Sequence, residues 1–439
     1  MSRTRFGIAL LPLLALLVTC ARMGASPQHV LHRLTAKDMD PALGYEAAPT
    51  MRASDLFAPE VIASRDHRVH EEVATDGFLR IYRIDSDFGR FEAAGDIELL
   101  QRVQEIRALA AFEELVDVKA YAAAGDSAGR DPLVERWELV VDPVDTAIGV
   151  PPELWQQVLR VSHMHPDQRM PEEQALRRAV LDFEAAKRRL GRRVGVNVYG
   201  DNRPLQRELN RAAWTISAGG YPLDGVPSLA ESSIAPLPED VLPARRVEMI
   251  FSNDSPEDLR RRNYIELAVL GVPSDEIEAF LAHPAYSPLR KTGVVEALVG
   301  LEPAKNRGAY LIPASMAQTP RDAFFRMMSS FILRFHHVKV APIEQLVLLN
   351  NGRTPAAYTS EGKLIVAAQV DYLLWSRPIE GFVRGLASAE LPDLKIEARE
   401  IWLSGEASPK ARREIEALGI RLVQRVFETM VPRLAGETQ

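Results

Sequence analysis

Apolar residues crowd the very start of the chain and then thin out. Residues 6–18 (FGIALLPLLALLV) form an apolar core of 13 residues behind a short basic start carrying Arg3 and Arg5. Residues 21–70 hold no long apolar period, only scattered Pro, His and Asp, and read as a tether with one short helix. Thr75-Asp76-Gly77 opens a hairpin, residues 78–84 alternate as a strand, Asp85-Ser86-Asp87 turns, and residues 88–93 return. Gly95-Asp96 then begins a helix of about 27 residues. Leu99, Val103, Ile106 and Ala110 share one face of it, and Glu98, Arg102 and Glu105 the other.

Residues 131–165 are mixed, with apolar runs around Trp137 and Trp155. Helical spacing returns over 171–193, where Leu176, Val180, Phe183 and Leu190 form a stripe, and again over 203–218. Residues 221–245 are rich in Pro, Ser and Gly and read as a linker. Ser255-Pro256, Ser274-Asp275 and Ser287-Pro288 each supply a helix start. A longer helix over 319–340 carries Phe324, Phe325, Met328, Phe331, Ile332 and Phe335. The last hundred residues change character, with strands over 346–349, 364–375 and 395–403. Ser408-Pro409 caps a helix ending at Gly419, and a final strand begins at Ile420. That end is a βαβ-like unit.

The expected fold is therefore α+β, a mostly helical body with a smaller β-rich C-terminal part. The expected divisions are 1–19 (signal peptide), 20–70 (lipid-anchored tether), 71–220 (hairpin plus helices), 221–245 (linker), 246–340 (helical) and 341–439 (β-rich α/β).

Composition narrows the classes. The chain has 439 residues, 46% hydrophobic and 26% charged, with a net charge of −7. That is ordinary for a globular protein and excludes wholesale disorder and a multi-span membrane protein. Removal of the first nineteen residues takes Arg3 and Arg5 away and leaves −9. An acidic chain is ill suited to phosphate neutralisation, so no nucleic-acid partner is expected. Basic runs at Arg188-Arg189, Arg192-Arg193, Arg245-Arg246 and Arg260-Arg261-Arg262 read as solvated helix faces, with phosphate or lipid contact as the alternative.

The opening apolar core is too short to span a bilayer, which needs about 20 residues, and fits a signal-peptide core instead. Leu17-Val18-Thr19-Cys20 follows it and resembles a bacterial lipobox, with Thr19 where Gly, Ala or Ser is commoner. The resemblance implies a cut before Cys20 and lipidation of that residue, the only cysteine of the chain. Ala21, rather than Asp, implies outer-membrane retention on the periplasmic side. An ordinary cut after Ala21 is the alternative, with Thr19 and Ala21 as the small residues.

Candidate chemistry in the body is sparse. No catalytic candidate is singled out by a P-loop, HExxH, GxSxG, CxxC or GxGxxG pattern, and no cofactor is expected. His163 and His165 lie two apart, as in an extended segment that points both imidazoles one way. His337, beside His336, is the third metal-ligand candidate. Ser404, Gly405 and Ser408 lie between a strand and a helix start, where backbone N–H groups can hold an anion. Asp142, Asp145 and Glu153, or Asp254, Glu257 and Asp258, can pair as acid and base. These features support a lipid-anchored envelope protein that binds or scaffolds, its partners the membrane and an envelope protein. The enzyme question stays open and leans to no. The alternatives are a periplasmic hydrolase or metal-dependent enzyme without a local motif, and a carrier of an apolar ligand built on the Phe/Met helix.

Overall fold

The computed structural model describes residues 35, 37–116, 171–217, 222–229 and 254–430. Short alternating segments build the first sheet: β1 (Met51–Arg52), β2 (His67–Val69), β3 (Glu72–Thr75), β4 (Arg80–Ser86) and β5 (Gly89–Ala94). All its pairings are antiparallel. β2 and β3 share one edge of β4, and β5 covers the other. The β3–β4 turn is fixed by Asp76, whose Oδ1 accepts from Phe78 N and Leu79 N at 3.0 and 2.8 Å. Gly77 takes the left-handed φ of 91° that this turn requires.

This sheet corrects two expectations. Residues 51–69, expected within the tether, belong to it. Upstream, the chain is docked from Asp38 on: Arg377 N donates to Asp38 O, and Glu46 N to Trp375 O. The Tyr45 hydroxyl donates to Glu380. The chain is mixed α and β, but strands are not confined to its C-terminal part. β1 and β2 are too short to produce a readable period.

α1 (Pro59–Ile62) lies within the first sheet's connections, and α2 (Asp96–Val116) packs on the sheet through Leu99, Leu100, Val103 and Ile106. The other side of α2 carries Ala108, Leu109 and Phe112 against α3 (Pro171–Val194) and α4 (Arg203–Ser217). Its polar face is therefore buried rather than solvated. Arg102 pairs with Glu105 at 2.7 Å and Asp201 at 3.1 Å, and Asn202 donates to Glu105 at 2.8 Å. The expected linker is docked where it is described, since Val226 is buried in the same cluster and Leu229 N donates to Arg193 O. Residues 131–165 lie outside the described residues.

Four helices, α5 (Pro256–Val269), α6 (Ser274–Ala282), α7 (Pro288–Val299) and α8 (Leu311–Ala314), precede α9 (Pro320–Lys339). Side-chain caps set the starts of α5, α7 and α9, whereas α6 follows Pro273 without one and Ser274 is its first residue. Ser255 with Asp258, and Thr319 with Asp322, form reciprocal capping boxes, each followed by Pro. α9 is central. Met327, Met328, Phe331, Ile332 and Leu333 are buried in the largest core cluster. Among the described residues no helix is long and apolar enough to cross a membrane.

The second sheet runs β12–β10–β8–β7–β6, from β6 (Ile343–Leu349), β7 (Thr354–Thr359), β8 (Lys363–Ala368), β10 (Ala398–Leu403) and β12 (Ile420–Val423). β6–β7–β8 is an antiparallel meander, and β8, β10 and β12 are parallel. A small parallel pair, β9 (Tyr372–Leu373) and β11 (Glu406–Ala407), extends past the carboxyl ends of β8 and β10. α10 (Arg377–Ala387) and α11 (Pro409–Ala417) lie in the two parallel crossovers, and α12 (Val426–Met430) follows β12.

Phe331 tests the centrality of α9. Phe331→Ala should cost about 3–5 kcal/mol of unfolding free energy in denaturant titration, because it opens a cavity between α9 and α7. Val338→Ala, at the exposed end of the same helix, should stay within about 0.5 kcal/mol.

Candidate functional site

In open parallel sheets ligands sit in the crevice beyond the carboxyl ends of the strands. Here three segments leave those ends together: residues 369–371 after β8, 404–406 after β10 and 424–425 after β12. They stay laced. Gly405 N donates to Val370 O, Glu406 N to Asp371 O and Arg425 N to Gly405 O. The β3–β4 turn of the first sheet then enters the crevice: Asp371 N and Tyr372 N donate to Phe78 O, and Leu374 N to Gly77 O.

A polar knot forms at this junction. Asp371 Oδ2 accepts from Arg80 N at 2.9 Å and from Asp96 N, at the start of α2, at 3.2 Å. Arg80 Nη1 donates to Asp96 at 2.6 Å and its Nη2 to Glu406 at 3.3 Å, while its Nε has no partner. Tyr82 donates to the other Asp96 oxygen at 2.6 Å, and Arg425 reaches Glu406 at 3.0 Å. Burial, then the neighbouring Asp96, pushes the Asp371 carboxyl well above the usual carboxylate range. Burial also raises Asp96, against the pull of Arg80. The outer groups stay reachable, with 29% of the Asp96, 30% of the Glu406 and 62% of the Arg425 side chain exposed. The arrangement can hold a polar group at its rim. Its deeper part is taken by the protein's own turn.

The anion candidates fall in this junction with other tasks. Ser404 Oγ donates to Val370 O at 2.6 Å and accepts from Val370 N at 2.8 Å. Ser408 caps α11 by accepting from Ala411 N at 3.0 Å, and its hydroxyl donates to the Glu46 carboxylate. A carboxylate of the chain thus sits beside that helix start. Gly405 is needed for close approach, since a Cβ there would lie 2.5 Å from Asp371 O and 2.6 Å from Val370 O.

Of the metal candidates, only His337 lies among the described residues. His163 and His165 lie outside the described residues, as does Cys20. His337 uses both ring nitrogens: Nδ1 accepts from Ile343 N and Nε2 donates to Glu302 O, each at 2.9 Å. His336 is buried edge-on against Trp402, its Nδ1 unpartnered, and burial lowers its pKa. No group of three or more metal-binding side chains occurs among the described residues. Asp254 pairs with Arg262 and Asp258 is a capping residue, so that acid group has structural tasks; Asp142, Asp145 and Glu153 lie outside the described residues. The Phe/Met helix packs against α7 so closely that a Cβ at Gly293 would lie 2.9 Å from Met327 Sδ and 3.1 Å from Phe331 Cζ.

The sequence patterns passed over Arg80, Asp96, Asp371 and Glu406. The available signal was Asp371 itself, a lone acid inside the apolar run LIVAAQVDYLLW. They also passed over Gly125-Asp126-Ser127-Ala128-Gly129, which fits G-x-S-x-G. It lies outside the described residues, nine positions after the end of α2. Comparison with protein-family models, curated proteins and solved structures finds no match.

Two substitutions test the knot. Asp371→Ala strands the buried Arg80 N–H and the part-buried Asp96 N–H and should cost about 2–5 kcal/mol in denaturant titration. Asp371→Asn keeps an acceptor and removes the ionisation. A raised folded pKa gives stability that is complete below the unfolded pKa of about 3.9 and is lost as pH rises through the folded value. Asp371→Asn should therefore gain on the wild type as pH rises from 4 to 8. Gly405→Ala should lower the Tm by several degrees, because the clash is with backbone that cannot yield.

Proposed function

We propose that the protein is exported and held in the cell envelope by lipid on Cys20, on the periplasmic side of the outer membrane, where it binds or scaffolds an envelope partner. One observation carries this reading: the only cysteine stands directly behind a 13-residue apolar core, within Leu17-Val18-Thr19-Cys20. Two or more acyl chains on that cysteine give stable anchoring, since each buried CH₂ contributes about 0.8 kcal/mol. The folded body would sit close to the bilayer. Among the described residues the first hydrogen bond to the body is at Asp38, and 17 residues separate it from Cys20, a reach of at most about 60 Å. A binding role is supported by the closed junction, where the crevice beyond the parallel strands is filled by the chain's own turn and its ionised groups engage one another.

The test is a Cys20→Ser variant expressed beside the wild type in a diderm host. The wild type should partition with membranes and carry an acylated Cys20 by intact mass, and the variant should do neither. A soluble mature chain starting at Arg22 would contradict the anchor.

A second reading, an envelope hydrolase, rests on Gly125-Asp126-Ser127-Ala128-Gly129. Such a serine needs a strand before it and a helix after it, whereas α2 is the described element before it. A fluorophosphonate probe decides: labelling that disappears in Ser127→Ala supports the hydrolase, and no labelling of the wild type removes it.

A further inference from the structure

A second buried polar cluster lies where α3 meets the head of α5, and it is built differently from the knot. Lys187 and Arg188 of α3 are only 3% and 5% exposed. Glu184, one turn earlier, faces both, with 3.8 Å between its Oε2 and Arg188 Nη1. Across from them stands Tyr199 of the α3–α4 loop. Its phenol lies within the fields of Arg188, Glu184 and Asp254 together, and burial pushes it up to about 12. Asp254 in turn pairs with Arg262 of α5. The groups therefore form a connected series over two helices and a loop, with Glu184 between Lys187 and Arg188, Tyr199 beside Arg188 and Asp254, and Arg262 on Asp254.

Donors are in excess there. Arg188 Nε and Nη1, Tyr199 Oη and Arg262 Nη1 are all buried without a hydrogen-bond partner. No described residue makes a hydrogen bond to the Lys187 amine, which burial lowers to about 8, partly offset by Glu184. The one unpartnered acid oxygen, Asp254 Oδ2, is already in ion contact with Arg262. Three cations, Lys187, Arg188 and Arg262, face two carboxylates, Glu184 and Asp254. Each orphaned donor costs about 1–3 kcal/mol, and an unmatched buried cation costs more. A ligand that supplies only acceptors and one or more negative charges would satisfy both deficits.

We propose that Lys187, Arg188, Tyr199 and Arg262 form a binding site for a small oxyanion. Phosphate offers acceptors in several directions, which suits donors spread over α3, its following loop and α5; arginine also pairs well with a carboxylate. Arg188 belongs to one of the basic runs of the sequence, yet it turns inward while Arg189 stays in solvent.

The test uses the purified full chain and three probes at fixed ionic strength: inorganic phosphate, sulfate and acetate. Thermal unfolding and calorimetric titration should show a saturable response to at least one that matched sodium chloride does not give. Phosphate or sulfate responding identifies a tetrahedral anion, and acetate a carboxylate. Tyr199→Phe removes the phenol donor beside Arg188 and keeps the ring. It should leave the ligand-free Tm unchanged or slightly higher and weaken binding about tenfold. Arg188→Gln should abolish binding, and Arg189→Gln should leave it intact. If Arg188→Gln does not fold, Tyr199→Phe still decides. The proposal is overturned if no probe gives a saturable response, or if Tyr199→Phe binds as tightly as the wild type.

Discussion

One carboxylate oxygen ties the two sheets together. Asp371 Oδ2 leaves the carboxyl end of β8 and accepts the backbone N–H of Arg80 in β4 and of Asp96 at the head of α2. These donors belong to the first sheet and its covering helix; the acceptor belongs to the second. Because the pairing is to backbone, it fixes position and direction at once. The Arg80 side chain can then reach Asp96 and Glu406, and the β3–β4 turn can seat against Phe78's partners in the second sheet. Two glycines shape the same junction. Gly95 takes a φ of 116° just before Asp96, a conformation glycine adopts without strain, and Gly405 leaves room for the Val370 and Asp371 carbonyls.

The two buried polar clusters differ in charge balance. In the knot, Asp96 and Glu406 pair directly with Arg80, Glu406 pairs with Arg425 as well, and burial raises both Asp371 and Asp96. It is a closed arrangement whose purpose is assembly. Between α3 and α5 the balance fails by one cation, and donors stand without acceptors. Buried unpaired donors in a native protein ask for an explanation; the knot has one, Arg80 Nε, whereas the α3–α5 cluster has Arg188 Nε and Nη1, Tyr199 Oη and Arg262 Nη1. This contrast places the binding chemistry away from the strand ends where a parallel sheet would ordinarily hold a ligand.

Local signals made much of the fold legible. Ser255-Pro256, Ser287-Pro288, Thr319-Pro320 and Ser408-Pro409 mark helix starts within a residue, because a cap followed by Pro acts without help from distant chain. The first sheet was only half legible, since two-residue β1 and three-residue β2 take their structure from pairing with β3 and β4. Arg102 and Glu105 stand on the helix face opposite the apolar stripe and are buried nonetheless, because Asp201 and Asn202 close over them from almost a hundred residues away. The sites were less legible still. Ser404, Gly405 and Ser408 were visible as a strand–helix junction, but the local pattern contains neither Glu46 nor Val370, which occupy the hydroxyls. Arg188 shows the same limit: adjacent to Arg189 in sequence, it is distinguished only by which way the helix turns it.

Amide hydrogen exchange at Arg80 and Asp96 tests the central claim most directly. If Asp371 Oδ2 holds both N–H groups in the joined structure, both should exchange with the slowest amides of β4 and β10, through global unfolding. Exchange of either within seconds, as for an exposed turn, would contradict it.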